Sequence, residues 1–166
     1  MVLWIRKLLG ISSPSLIDFG MREQKGPVMI YWKNFLKVLQ HKWFVLVAGL
    51  RVGGIPFWRL LFHDMSKFSR AEFGPYARKF LTEESTPEIE LSFALAWLHH
   101  EGRNPHHWGY WVARSGKFAK RPLPMPRAYA REMVADWWAA GRAYSKSWDM
   151  HDWLVKSVPG FELHPE

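Results

Sequence analysis

The stretch MIYWKNFLKVLQHKWFVLVAGLR, residues 29–51, sets Ile30, Phe35, Val38, Leu39 and Leu46 near helical spacing and interleaves Lys33, Lys37 and Lys42. Strand side chains alternate with a period of two, so a pattern this long and this close to 3.6 predicts a helix. Gly53, Gly54 and Pro56 end it, and Pro56 suits the first turn of a second helix, FWRLLFHDMSKF. Ser69 and Glu72 stand in the S-x-x-E spacing of a capping box that opens a third. Thr86-Pro87-Glu88 supplies an N-cap, a proline at the first helical position and an acid in the first turn of a fourth, which runs to Gly102. A long helix over 127–146 and a short one over 149–157 complete the series. No run alternates as strands do and no segment repeats, so the expected fold is an all-α helical bundle.

Two segments stand apart. Residues 1–28 hold Gly10, Ser12, Ser13, Pro14, Ser15, Gly20, Gly26 and Pro27, all turn formers. They read as an N-terminal extension, with a short amphipathic helix over 2–9, ahead of a domain at 29–166. Residues 113–127 carry Arg114, Lys117, Lys120, Arg121 and Arg127 among three prolines and read as an exposed loop.

Composition narrows the class. The 166 residues contain no cysteine, so there is no disulfide framework and any metal must be held by His, Asp or Glu. The longest strongly apolar run, Trp43 to Leu50, is far short of the ~20 residues that span a bilayer. Arg6 and Lys7 interrupt the apolar N-terminal stretch, unlike a secretory signal, so a cytoplasmic protein is expected. The net charge of +8 is uneven: residues 1–60 hold nine Lys/Arg against two Asp/Glu (+7), and residues 61–166 hold fourteen against thirteen (+1). A basic surface attracts phosphates, nucleotides or nucleic acid.

Eight histidines occur, four of them within HHEGRNPHH, residues 99–107. Imidazole and carboxylate without sulfur suit Mn, Fe, Co, Ni or Zn. His41 lies late in the first helix, His63-Asp64 near the end of the second, and Asp136 inside the long helix. A second His-Asp pair, His151-Asp152, reads as two polar side chains exposed on the surface. Glu132 and Asp136, four apart, share a helix face. On one continuous helix the side chains of His63 and Asp64 would diverge by about 100°, so a shared metal would have to sit over the helix edge between them. Gly102 and Pro105 predict that the four clustered histidines converge from a helix end and a loop.

The order His, His-Asp, His cluster, lone Asp resembles the HD-domain metallohydrolase superfamily. That resemblance implies an HD-domain-like helical bundle with its metal site between helices, held by His41, His63, Asp64 and Asp136. It adds His100 and one of His106 or His107, with His107 carried forward, so that one or two ions are bound. The stretches HKWFV, HDMSKFSRAEFGPY, AWLHHEGRNPHHWGYW and PMPRAYAREMVADWW also resemble a family of short bacterial and phage proteins of unknown function, over Met29 to Glu166. The implied activity is hydrolysis of a nucleotide or other small phosphate ester by metal-activated water. Asp64, Lys67, Glu72 and Glu132 are the candidate catalytic groups. Lys67, Asn104, Trp108, Arg114 and Lys117 are the candidate substrate contacts. Two alternatives differ in chemistry: an HD-fold di-iron oxygenase, and a non-enzymatic module that binds nucleic acid or a protein partner.

Overall fold

The computed structural model describes residues 27–165. Six α-helices and four short 3-10 turns are found among the described residues, with no strand and one isolated bridge, Val112 to Pro122. The helices are α1 (Pro27–Val52), α2 (Phe57–Phe62), α3 (Phe73–Leu81), α4 (Pro87–Arg103), α5 (Arg127–Ser145) and α6 (His151–Ser157). The all-α expectation holds. The 2–9 helix expected in the extension lies outside the described residues. None of these helices is long and apolar enough to cross a membrane.

The long helices α1 and α5 form the main packed pair, and α3 lies between α1 and α4. Helix α1 buries Ile30, Asn34, Val38, Val45 and Ala48 at helical spacing, and His41 lies on the same row. Helix α5 answers with Ala135, Ala139 and Ala140, small enough to let the two backbones approach, and with Glu132 and Asp136 on the same buried side. Leu39, which the periodicity grouped with the apolar row, falls on the outer face and is 42% exposed. Val45, Leu60 and Ala139 are the innermost apolar contacts, flanked by Phe44, Leu46 and Ile55.

Gly49 marks the crossing of α1 and α2. A Cβ there would stand 2.3 Å from Cδ2 of the buried Leu60. Gly49→Ala therefore overpacks the core, and is expected to cost about 1–3 kcal/mol. In thermal unfolding this would appear as a fall of roughly 3–10 °C; an unchanged midpoint would contradict the close approach.

Two local expectations are corrected. The second helix does not continue through HDMSKF. It stops at Phe62; His63 is extended (φ −51°, ψ 131°), Asp64 is left-handed (φ 55°, ψ 26°), and Met65–Phe68 form a 3-10 turn. Lys42 of α1 makes this break affordable, since its Nζ donates to the carbonyls of Leu61 (3.0 Å) and His63 (2.5 Å) that no longer serve a helix. The capping box is also absent. Ser69 Oγ has no hydrogen-bond partner and Glu72 is turned inward. The N-cap at Thr86, by contrast, forms as expected, with Oγ1 accepting from the Ile89 amide at 3.4 Å.

Candidate metal centre

Four elements deliver imidazoles and carboxylates to one buried point. Helix α1 supplies His41, the break after α2 supplies His63 and Asp64, the end of α4 and the turn after it supply His100, His106 and His107, and α5 supplies Glu132 and Asp136. All are buried except His41, whose side chain is 12% exposed. The break at His63 replaces the expected geometry. With one residue extended and the next left-handed, both side chains turn to the same point instead of diverging around a helix. A left-handed conformation is costly for a residue with a Cβ, though least so for Asp and Asn, and it persists where its surroundings enforce it.

Three groups of donor atoms result; Asp64 belongs to two of them, and His63, His106 and Glu132 form the third. In the first, His41 Nε2 lies 2.9 Å from Asp136 Oδ1 and 3.7 Å from Asp64 Oδ2. His63 Nε2 lies 3.5 Å from Asp64 Oδ2 and 3.6 Å from Asp136 Oδ1. In the second, Asp64 Oδ1 is 3.4 Å from both His100 Nε2 and His106 Nε2, and His107 Nε2 is 2.8 Å from His100 Nε2. Most of these separations are too long for hydrogen bonds. Ligands about 2.1 Å from one ion stand about 3.0–3.4 Å apart, which is close to the spacings seen. His63 Nε2, His106 Nε2 and Asp64 Oδ1 are buried without a hydrogen-bond partner. Such atoms are costly to leave unsatisfied, and the residues present could hold a metal ion.

The far sides of the same rings are occupied. His63 Nδ1 donates to Glu132 Oε1 at 2.9 Å, and His100 Nδ1 donates to Glu72 Oε2 at 2.8 Å. In the neutral ring a proton on Nδ1 leaves the Nε2 lone pair facing inward, the arrangement in which outer carboxylates orient metal-binding histidines. Glu72 Oε1 also takes His99 Nδ1 at 2.7 Å, and Glu132 Oε2 takes Arg59 Nε at 2.7 Å and Arg59 Nη2. Asn104 caps α4 and ties the cluster together, donating to the His100 carbonyl at 2.7 Å and to Ser66 Oγ at 2.8 Å.

The electrostatics follow from burial and charge. Burial disfavours the charged imidazolium of His41 and His107 and lowers both pKa values, with the neighbouring histidines adding to the effect at His107. Burial opposes the charge on His63 as well, but Asp64, Asp136 and Glu132 outweigh it and lift its pKa to about 9. Burial raises Glu132 less than His106 and His63 lower it, and its pKa settles at about 2. Lys67 is buried with its Nζ 2.5 Å from Asp64 Oδ2. Burial disfavours that ammonium, yet Asp64 and Asp136 keep it protonated.

The other expected residues lie further out. Trp108 stacks on Phe161 with centroids 5.7 Å apart, and Trp137 packs on the same ring at 5.2 Å. Arg114 and Lys117 are exposed on a hairpin-like loop, closed by Ala113 N to Arg121 O (3.0 Å) and Leu123 N to Trp111 O (2.7 Å). His151 and Asp152 are exposed, as their isolation from the other histidines suggested. His107 is the expected residue of the pair His106 and His107; the structure brings both to Asp64. Arg59 carries no signal in the sequence: it sits on the first helical turn after Pro56, and its partner Glu132 lies 73 residues away.

A family model described as a family of unknown function (DUF5662) matches residues 30–166. The chain belongs to that family. No curated protein and no solved structure matches it. The match begins inside α1 and takes in all the residues of the centre.

Proposed function

We propose that this chain is an HD-domain-like, metal-dependent phosphohydrolase acting on a nucleotide or another small phosphate ester. One observation carries the reading: Asp64 turns one carboxylate oxygen to each of two groups of histidines. His41, His63, Asp64 and Asp136 would hold one ion, and Asp64 with His100, His106 and His107 a second. A divalent ion so held supplies Lewis acidity and lowers the pKa of a coordinated water to about 7.

The chain's own residues do the rest. Lys67 places an ammonium beside Asp64, where it can take a phosphate oxygen as the substrate enters. Glu72 and Glu132 touch imidazoles rather than the interior of the cluster, so their work is to fix ring orientation and proton position. Arg114, Lys117, Lys120 and Arg121 are exposed on a loop rooted beside His106 and His107, with no acidic residue from Ala113 to Arg131. The anchor of that root is Trp111 Nε1, which donates to the Pro105 carbonyl at 2.7 Å. A one-signed surface of this kind draws anions toward the site.

The test is elemental analysis of untagged protein purified without chelator, followed by hydrolysis of p-nitrophenyl phosphate, bis(p-nitrophenyl) phosphate and nucleoside monophosphates. The expected result is one or two equivalents of Mn, Fe, Co, Ni or Zn, and phosphate release that a chelator abolishes and added metal restores. Failure to bind any of these ions after add-back overturns the proposal. Bound iron with oxygen consumption and no phosphate release would point to the di-iron oxygenase instead.

A further inference from the structure

Helix α1 is apolar on the side away from the core as well as on the side toward it. Trp32, Leu36, Leu39, Trp43 and Leu50 are 42–62% exposed, Met29 is 48% exposed, and the half-buried Leu46 completes the row. The positions 29, 32, 36, 39, 43, 46 and 50 alternate steps of three and four without a break. On a helix they form a stripe opposite Ile30, Asn34, Val38, Val45 and Ala48, which face the core. A helix apolar all round belongs inside a structure, and monomers rarely leave so long an apolar row in water.

We propose that this row is a dimer seam on which a second copy of the chain lays its own α1, parallel and in register. Three observations select that occupant. First, strict three-four spacing is the pattern of a helix that pairs with a helix through knobs and holes, whereas a lipid-facing or core-facing stripe is broader and less regular. Second, the exposed parts of these side chains amount to roughly 800 Å², about what each partner gives to a stable interface of ~1,600 Å². Third, the flanks accept a copy of themselves. In a parallel seam Val28 faces Lys33 of the partner and Phe35 faces Gln40, while Lys42 is held by the carbonyls of Leu61 and His63 in its own chain, so no lysine meets a lysine. His41 lies on the other side of α1 from the stripe, so pairing leaves the metal centre as it is.

The absence of cysteine makes the test direct. Full-length protein is measured by analytical ultracentrifugation from 1 to 100 µM, with Leu36→Glu/Leu39→Glu as the seam variant and Leu39→Cys as the cross-linking variant. The wild type is expected to sediment at twice 19.6 kDa. The double variant should sediment at 19.6 kDa, with unchanged helical circular dichroism and metal content. Leu39→Cys should form a disulfide-linked dimer under mild oxidation, while Asp152→Cys, at an exposed position away from the seam, should not. A monomeric wild type across the range overturns the proposal, including the case in which the same residues bring the protein down with phosphatidylglycerol vesicles. A dimer that survives the double variant, or that Leu39→Cys cannot link, places the contact elsewhere and overturns it as well.

Discussion

Asp64→Asn is expected to leave the purified protein with less than a tenth of the wild-type metal and to abolish phosphate-ester hydrolysis. The side chain keeps its shape, so the effect isolates charge and lone pairs. In the wild type each carboxylate oxygen serves a different set of histidines. In the amide one of those atoms becomes a donor and the net charge is gone, so both ion positions weaken together. The loss should exceed the ~10–100-fold drop in affinity that follows removal of an outer partner. Lys67 also loses its closest counter-charge, so the metal-free variant should be less stable than the metal-free wild type, by about 3–5 kcal/mol for a broken buried pair. Asp152→Asn provides the control. It changes the other His-Asp dipeptide, which is exposed, and should alter neither metal content nor melting. Elemental analysis and thermal unfolding in chelator measure both effects. An Asp64→Asn protein that retains stoichiometric metal would refute the assignment of Asp64 to the two sites.

Glu132→Ala is expected to reduce stability and metal affinity together, for separable reasons. The carboxylate receives two nitrogens of the mostly buried Arg59 on one oxygen and His63 Nδ1 on the other. Removing it strands the guanidinium, which also lies over the Tyr129 ring at 3.9 Å, and costs about 3–5 kcal/mol. That corresponds to a fall in melting temperature of roughly 6–20 °C. The ring of His63 loses the acceptor that fixes its tautomer, and affinity should drop about 10–100-fold. The pair Arg59→Leu/Glu132→Leu separates the two effects. Replacing a buried ion pair by apolar side chains is often neutral or stabilising, so melting should recover while metal affinity stays low. Competition against a chromophoric chelator reads the affinity. If the double variant regains wild-type affinity, Glu132 acts only through stability and does not orient the ring.

Much of the architecture could be read along the chain because it depends on near neighbours. The helical period of 29–51, the Thr86-Pro87 start of α4 and the extent of α5 are decided within a few turns by side-chain spacing and by which amides lack partners. The shared face of Glu132 and Asp136 follows from helix geometry alone. The order of His41, His63-Asp64, the 99–107 cluster and Asp136 also named nearly every residue that the structure brings together.

What the sequence determined by itself was therefore the set of helices and the inventory of imidazoles and carboxylates that could hold a metal ion. Only the tertiary structure decided how those side chains converge. FWRLLFHDMSKF contains nothing that forbids a continuous helix. It breaks because Lys42, about twenty residues earlier, donates to the freed carbonyls, and because a left-handed Asp64 can then serve two sets of histidines. Glu72 sits three residues after Ser69 in the spacing of a cap, yet His99 and His100 compete for its carboxylate and win, since burying two imidazoles requires an acceptor for them. The choice between His106 and His107 was open for the same reason: both lie in a turn after α4, and which rings reach Asp64 depends on where α5 and α2 stand. Local propensity fixes period and caps within a few residues, whereas a buried polar cluster is satisfied by partners 20 to 70 positions away, and no short stretch of sequence contains both halves of such a contact.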